Sequence, residues 1–305
     1  MAAGGGAGST WRGTIGVVTK LAMNVVAVLV VLSTALGGCA DSPPSVPPGD
    51  LVHIHRLGPA PDGGLYVATH TGLYRVTSDG GIEAIGTAAH DLMGFTVAGP
   101  DDLLASGHPD MRDTSLQVQG KPPLLGLVAS SDGESWEPLS LLGEVDFHSL
   151  VAAHGNVYGL DSQTGALMVS DDRREWETRA ERLAFTDIAV SPDEKDTLVG
   201  ASPVGVQGSE DGGRSWTGLA SQPLAYVAWV DDGFFGVSSD GQVLYSADGG
   251  KTWEERGGTD AAPHALLALD ADVVFVAHER GIVRSDDGGR TFATVVDTTV
   301  GGSER

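Results

Sequence analysis

One phrase recurs along this chain at nearly constant spacing. It reads "SADGGKTW" from Ser246 to Trp253, "SEDGGRSW" from Ser209 to Trp216 and "SDDGGRTF" from Ser285 to Phe292. Taking its central aspartate as a marker gives Asp132, Asp172, Asp211, Asp248 and Asp287, spaced 40, 39, 37 and 39 residues apart. A degenerate copy, "TSDGGI" around Asp79, stands 53 residues before Asp132. A fixed period near 40, built from short strands, points to a β-propeller rather than to a solenoid of helices.

Every repeat divides the same way. The last contains "HALLALDA", "DVVFVAH", "GIVRSDD" and "TFATVVD", β-rich runs parted by Gly/Asp turns, with no stretch long enough for a helix of period 3.6. Four strands per repeat and six repeats fill His53 to Asp297, which predicts an all-β, six-bladed propeller of four-stranded antiparallel blades. The recurrent phrase then falls between the third and fourth strands. There the aspartate accepts backbone N–H groups and the glycines supply the positive φ of a tight hairpin. The hydroxyls add local bonds and the ring packs into the blade. Around Asp172 the phrase is "SDDRREW", with arginines in place of both glycines, so a looser turn is expected there.

These residues resemble the Asp-box, or BNR, repeat, S-x-D-x-G-x-T-W, of sialidases, sortilin-type receptors, photosystem assembly factors and some xyloglucanases. The resemblance spans essentially the whole domain and implies a propeller. It also implies a structural role for Asp79, Asp132, Asp172, Asp211, Asp248 and Asp287, because in those families the boxes lie on the face away from the active site.

The N-terminal segment has its own signature. The first 38 residues hold Arg12 and Lys20, no acidic residue, and the apolar run "LAMNVVAVLVVLSTAL" from Leu21 to Leu36, too short to favour a stable span. It runs into "LGGC", ending at Cys39, the one cysteine of the chain. This resembles the bacterial lipobox, which implies a signal peptide over 1–38, lipidation of Cys39 and a lipoprotein on the extracytoplasmic face of the cell membrane. The alternative is an uncleaved anchor helix. "CADSPPSVPPGD", with four prolines, reads as an extended tether over 39–50, ahead of a propeller over 51–298 and a disordered tail over 299–305.

Cleavage before Cys39 leaves 41 acidic against 16 basic residues, a net charge of −25. Nucleic acid is thereby excluded as a partner, since a polyanion is repelled. With its one cysteine lipidated the chain has no intrachain disulfide, so a hydrophobic core must stabilise it.

The repeat register also sorts the histidines. If blades run innermost strand first, the start of the first strand and the end of the second share one face, opposite the aspartate turns. His53, His55, His90, His148 and His264 stand at first-strand starts, and His70, His108 and His278 at second-strand ends; His154 alone falls elsewhere. Asp91 and Asp146 align level with His53. Imidazole and carboxylate are ligands for Zn, Cu, Ni or Fe, so His53, His55, His70, His108, His148 and His278 are candidate metal ligands. Met93 and Met111, near His90 and His108, tilt the choice toward copper over zinc. The same residues also suit a water-filled polar channel. The insertion Gly107–Pro123 is either a lid over the channel mouth or a passive surface loop.

Two functions follow. The favoured one is a cell-surface binding module taking a metal, a glycan or a protein partner at the histidine face. The other is a sialidase-like glycoside hydrolase with Asp91 and Asp146 as its carboxylates. The sialidase opening F-R-I-P aligns with "VHIH", placing His53 at the arginine and His55 at the proline, which removes a bidentate carboxylate clamp. Arg56, Arg112 and Arg280 lie near that rim, and Glu279 and Tyr226 suit the remaining roles, but alternation predicts that Arg56 and His55 point to opposite sides of their strand.

Overall fold

A computed structural model describes residues 51–299. The expected signal peptide, Cys39 and the tether lie outside the described residues, as do 300–305 of the expected tail. Among the described residues are 24 strands, grouped as six sheets of four consecutive strands each. The chain is a six-bladed β-propeller. In this region no helix is long and apolar enough to cross a membrane.

The inner strands are β1 (Ile54–Pro59), β5 (Asp91–Gly99), β9 (Phe147–Ala153), β13 (Asp187–Val190), β17 (Tyr226–Val230) and β21 (Pro263–Ala268). Each touches the next and β21 touches β1, so the ring is closed. Among the described residues no blade borrows a strand from another part of the chain. Closure is therefore a matter of side-chain packing. Leu51, Leu57, Val67 and Tyr74 of blade 1 interlock with Phe275, Ile282 and Val296 of blade 6. Equivalent apolar clusters lie between every other pair of neighbouring blades, with fully buried Phe147, Phe234 and Phe235 among their largest members. Truncating one of these rings to Ala costs about 3–5 kcal/mol.

The aspartate turns sit between third and fourth strands. In the long form Asp211 accepts from the amides of Arg214 and Ser215 at 3.0 and 2.9 Å, and from the Ser209 and Ser215 hydroxyls at 2.8 and 2.6 Å. Asp248 and Asp287 repeat that pattern. Trp216 and Trp253 fasten the turn by donating their indole N–H to Gly213 O and Gly250 O.

The turn at Asp172 lacks the amide-to-serine bond of the other full copies, as at Gly133 N to Ser130 Oγ, but keeps the bonds to its carboxylate. Like the one at Asp132 it is a residue shorter than the rest and bonds the amides of Arg174 and Glu175, both at 2.8 Å. The short form needs only one left-handed residue, at the place of Gly133 (φ +77°), and Arg173 fills it at φ +64°. A guanidinium fork on Asp102, at 2.8 and 2.6 Å, holds Arg173 there. At Asp79 only the hydroxyl of Thr77 reaches the carboxylate, so this degenerate copy is a weaker fastener.

A second regularity positions the candidate site. Each inner strand carries an extra residue near its start. Arg56 pairs with Ala68 although Ile54 pairs with Thr69, which leaves His55 bulged; Met93, His148 and His264 are bulged in the same way. In blades 4 and 5 the amides of Thr186 and Ala225 bond the carbonyls of Ala201 and Val237, residues already opposite Asp187 and Tyr226. Such a two-against-one pairing re-aims side chains. It sets a ring of His55, Met93, His148, Thr186, Ala225 and His264 above a second ring of Arg56, Gly94, Ser149, Asp187, Tyr226 and Ala265.

Candidate functional site

The bulge overturns one expectation. Alternation puts His55 and Arg56 on opposite sides of β1, yet both line the same cavity of about 170 Å³ at the channel mouth, with His53, Met93, His148, Thr186, Tyr226 and His264. Arg56 crosses the channel as a strut. It donates to His148 O from Nε and Nη2 at 3.1 and 2.5 Å, stands 3.1 Å from Asp187 Oδ1, and lies 5.5 Å from the Tyr226 ring centre. Asp187 also accepts from the Ser149 hydroxyl at 2.7 Å and the Val227 amide at 3.1 Å. The second ring is thus a satisfied polar floor joining blades 1, 3, 4 and 5, and the mouth is a cup.

Above this floor the carboxylates and imidazoles form a ladder. Asp91 opens β5 and stands opposite His108 at the end of β6 (Asp102–His108). Its Oδ1 is 3.1 Å from His55 Nε2, and its Oδ2 is 2.9 Å from His70 Nδ1 and 3.5 Å from His108 Nδ1. The other nitrogen of His108 lies 3.8 Å from Asp146 Oδ2, which also meets His148 Nε2 at 2.9 Å and accepts from the Ser162 hydroxyl at 3.1 Å. His55 Nε2 and Asp91 Oδ1 are close but not aligned as donor and acceptor, and both are buried without a hydrogen-bond partner, as is Asp146 Oδ1. Leaving such atoms unpaired costs about 1–3 kcal/mol each, more when charged.

The electrostatics follow from these neighbours. Burial alone pushes the carboxyl of Asp91 upward; the imidazole of His55, with those of His70 and His108, outweighs it and holds Asp91 below the ordinary value. Asp146 is likewise pushed up by burial and held low overall by His148, His108 and Ser162. Burial, then the neighbouring His53, lowers His264, and burial with Arg280 lowers His278, so both imidazoles favour the neutral form that binds metal.

The six proposed ligands are therefore not equivalent. His55, His70 and Asp91 offer ligand atoms all within 4.8 Å of one another. His108 and His148 gather on Asp146. His53 borders the cluster, its ring centre 6.1 Å from that of His70. His278 stands apart, buried, with Nδ1 accepting from the Arg280 amide at 3.1 Å. Of the others, His264 lines the cup, His90 is buried with Nδ1 accepting from the Asp110 amide at 2.9 Å, and His154 bonds Ser191 O on the face of the aspartate turns.

The insertion is a packed strap. None of residues 109–123 lines the cup. Leu116, in a short 3₁₀ turn capped by Asp113, is fully buried in the core between blades 1 and 2. Asp110 ties its start to the amide of Ala89 and to Arg112. Met111 is exposed at the tip, whereas Met93 faces the cup. Sequence reasoning missed the Arg56 strut and the place of Thr186 in the cup because simple alternation does not register a bulge, and missed the bond from Ser162 because it reaches Asp146 from sixteen residues away. The apolar residue ahead of each bulge, Ile54, Leu92, Phe147, Phe185, Leu224 or Pro263, was the available signal.

No family profile matches the chain, and no curated protein matches it. Similar solved structures are numerous. They include a chain of the nidogen/laminin complex (TM-score 0.61, 11% identity, 75% of this chain and 91% of that one). A gluconolactonase from Xanthomonas campestris matches with TM-score 0.61, 13% identity and coverages of 76% and 86%. YCF48 bound to D1 peptide matches with TM-score 0.53, 15% identity and coverages of 85% and 84%. The likeness is one of fold, and among these neighbours are an enzyme and proteins solved with a partner.

Proposed function

We propose that this chain is a binding module, lipid-anchored through Cys39 on the extracytoplasmic face of the cell membrane, that holds a transition-metal ion at its channel mouth through His55, His70 and Asp91. The observation that carries this is the set of two imidazole nitrogens and a carboxylate converging within 4.8 Å, with buried, unpartnered atoms facing each other. Bonds of about 2.0–2.1 Å make the edge of a tetrahedral site about 3.4 Å. The separations from His55 Nε2 to Asp91 Oδ1 and from His70 Nδ1 to Asp91 Oδ2, 3.1 and 2.9 Å, are near that edge, each nitrogen meeting a different oxygen of the carboxylate. A cation there pairs the buried atoms. Nitrogen and carboxylate donors suit zinc or copper.

The test is calorimetric titration of the metal-stripped full chain with Cu²⁺ and Zn²⁺. Wild type is expected to bind, and His55→Ala and His70→Ala to lose that ion. A folded wild-type chain that takes up neither ion would falsify the reading. Anchoring is tested separately: Cys39→Ser should release the protein from the membrane fraction, and unchanged fractionation counts against lipidation.

Glycoside hydrolysis is less well supported. It needs one carboxyl kept protonated as the acid, whereas Asp91 and Asp146 are both held low. The three rim arginines are already engaged: Arg56 in the strut, Arg112 on Asp110, and Arg280 on the carbonyls of Thr259 and Asp260. Cleavage of chromogenic glycosides that disappears in both Asp91→Asn and Asp146→Asn would reinstate it.

A further inference from the structure

A larger cavity than the cup opens on the face of the aspartate turns, between blades 4 and 5, with a volume of about 370 Å³. Among its lining are three apolar side chains: Val199 of β14 (Leu198–Ser202), Leu219 of β16 (Thr217–Ala220) and Trp229 near the end of β17. Asp193, Glu194 and Glu210 line it as well, and all three are exposed. We propose that this cleft is a separate binding site for a small organic cation, an ammonium or guanidinium group on an apolar, preferably aromatic, body. Pockets for small molecules run from about 300 to 1,000 Å³ and set a few polar groups in an apolar lining. The cleft falls within that range, which fits a small molecule rather than the flat face of a protein.

The apolar and acidic parts have separate origins. Trp229 lies outside the aspartate turns, and its ring stacks on Phe234 at 4.7 Å and 27°, which fixes an indole in the wall. Gly249, at φ +69°, brings the turn of blade 5 against it; a Cβ there would stand 3.5 Å from the ring. The acidic part comes largely from the connection between β13 and β14. There the Ser191 hydroxyl accepts from the Glu194 amide at 3.2 Å and the Thr197 amide donates to Glu194 O at 2.9 Å, which sets the backbone that carries Asp193 and Glu194. Among the described residues none of Asp193, Glu194 and Glu210 forms an ion pair. Asp248 also lines the cleft, but its own turn takes up its oxygens, so it adds charge alone. Lys251 is the one base in the lining, against these four carboxylates. Cations are therefore drawn in and anions repelled. A cation within about 6 Å of an indole is held further by the quadrupole of the ring.

Calorimetric titration of the full chain with 2-phenylethylammonium, 2-phenylethanol and phenylacetate tests this, since the three share a ring and differ in charge. Wild type should bind the cation, bind the alcohol more weakly and leave the anion unbound, and its affinity for the cation should fall as salt is added. Trp229→Leu should weaken the cation by roughly tenfold, whereas Trp229→Phe, which keeps an aromatic face, should retain most of the affinity. Glu194→Gln with Glu210→Gln should weaken the cation by roughly 3–10-fold and leave the alcohol unchanged. Melting curves of every variant check the fold. Equal binding of all three compounds overturns the cationic class. Cation binding that survives in folded Trp229→Leu and in the double glutamine variant overturns the location, and no binding by folded wild type overturns the site. Because the cleft shares no residue with the mouth, any of these failures leaves the metal reading standing, and loss of the metal reading leaves this one.

Discussion

The two faces of the propeller use the same side chain for opposite ends. At the turn of Asp287 the carboxylate takes the amides of Arg290 and Thr291 and the hydroxyls of Ser285 and Thr291, all within 3.0 Å and all from one short segment. At the mouth, the Asp91 carboxylate takes no backbone donor among the described residues. Its neighbours are His55 and His70 of blade 1 and His108 of blade 2, and one of its oxygens is buried without a partner. A carboxylate saturated by its own turn has no capacity left for a ligand. One surrounded by imidazoles from elsewhere in the chain, with a buried oxygen unpartnered, keeps that capacity at some expense of stability, which is what the proposed metal reading uses.

The largest expected effect breaks the mouth alone. On the proposed metal reading, Asp91→Asn should weaken Cu²⁺ or Zn²⁺ binding by about 100-fold or more, equivalent to about 2.7 kcal/mol, because a neutral amide is a poor ligand and does not balance a cation. It should lower the melting temperature of the metal-free protein less than the next variant does. Calorimetry and thermal melts check both halves.

The next breaks the other face. Ser285 is buried, and its hydroxyl accepts from the amide of Gly289 at 2.8 Å while donating to Asp287 at 2.7 Å. Ser285→Ala leaves that amide unsatisfied and should cost about 1–3 kcal/mol in chemical denaturation, with metal affinity unchanged. A shift in affinity comparable to that of Asp91→Asn would mean that the faces are not separable.

Acid should act in two windows, the lower of which also includes Asp91 and Asp146 of the mouth. Burial, partly offset by Asp113 and Asp110, lowers the pKa of His90 below its ordinary 6.5. The unfolded chain then takes up a proton before the folded one does, so stability is full above about pH 6.5 and falls as pH drops from there toward the folded value. His264 and His278 act in the same window and with the same sign. Asp211, Asp248 and Asp287, held below 3.8 by their hydroxyl and amide donors, contribute until pH falls below that value. Melting temperature against pH should therefore decline in two stages. His90→Gln should shallow the upper stage and leave the lower one in place.

What could be read in the sequence divides along the same line. The blades were legible because a turn motif, its glycines and four short strands recur within each 40 residues, and the bonds that matter are local. The face on which histidines collect followed from that register. Which histidines meet did not: His55 reaches Asp91 from another blade, and its direction depends on a bulge that the apolar pattern conceals. Arg56 was misassigned for the same reason. The place of the insertion was not legible, since a lid and a passive surface loop both fit its composition and it is Leu116, one of its few apolar residues, that ties it into the core.

The smallest effect tests how far a local rule can bend. Arg173 occupies a left-handed position that costs a side chain about 1–2 kcal/mol, and Gly133 fills the equivalent place one blade earlier. Its fork on Asp102, between partly exposed groups, returns only about 0.2–1 kcal/mol. The backbone carbonyl of Arg173, which accepts from Ser140 at 2.9 Å, survives any substitution. Arg173→Gly relieves the backbone, loses the fork and gives the unfolded chain more freedom, so these terms nearly cancel and the change should stay within about 0.5 kcal/mol. Arg173→Ala keeps the strain and loses the fork, and should fall further, by up to about 1 kcal/mol. Denaturation midpoints of the two variants decide it: both lose the fork, so if glycine proves the more damaging, the left-handed strain at this position is smaller than the freedom glycine returns to the unfolded chain.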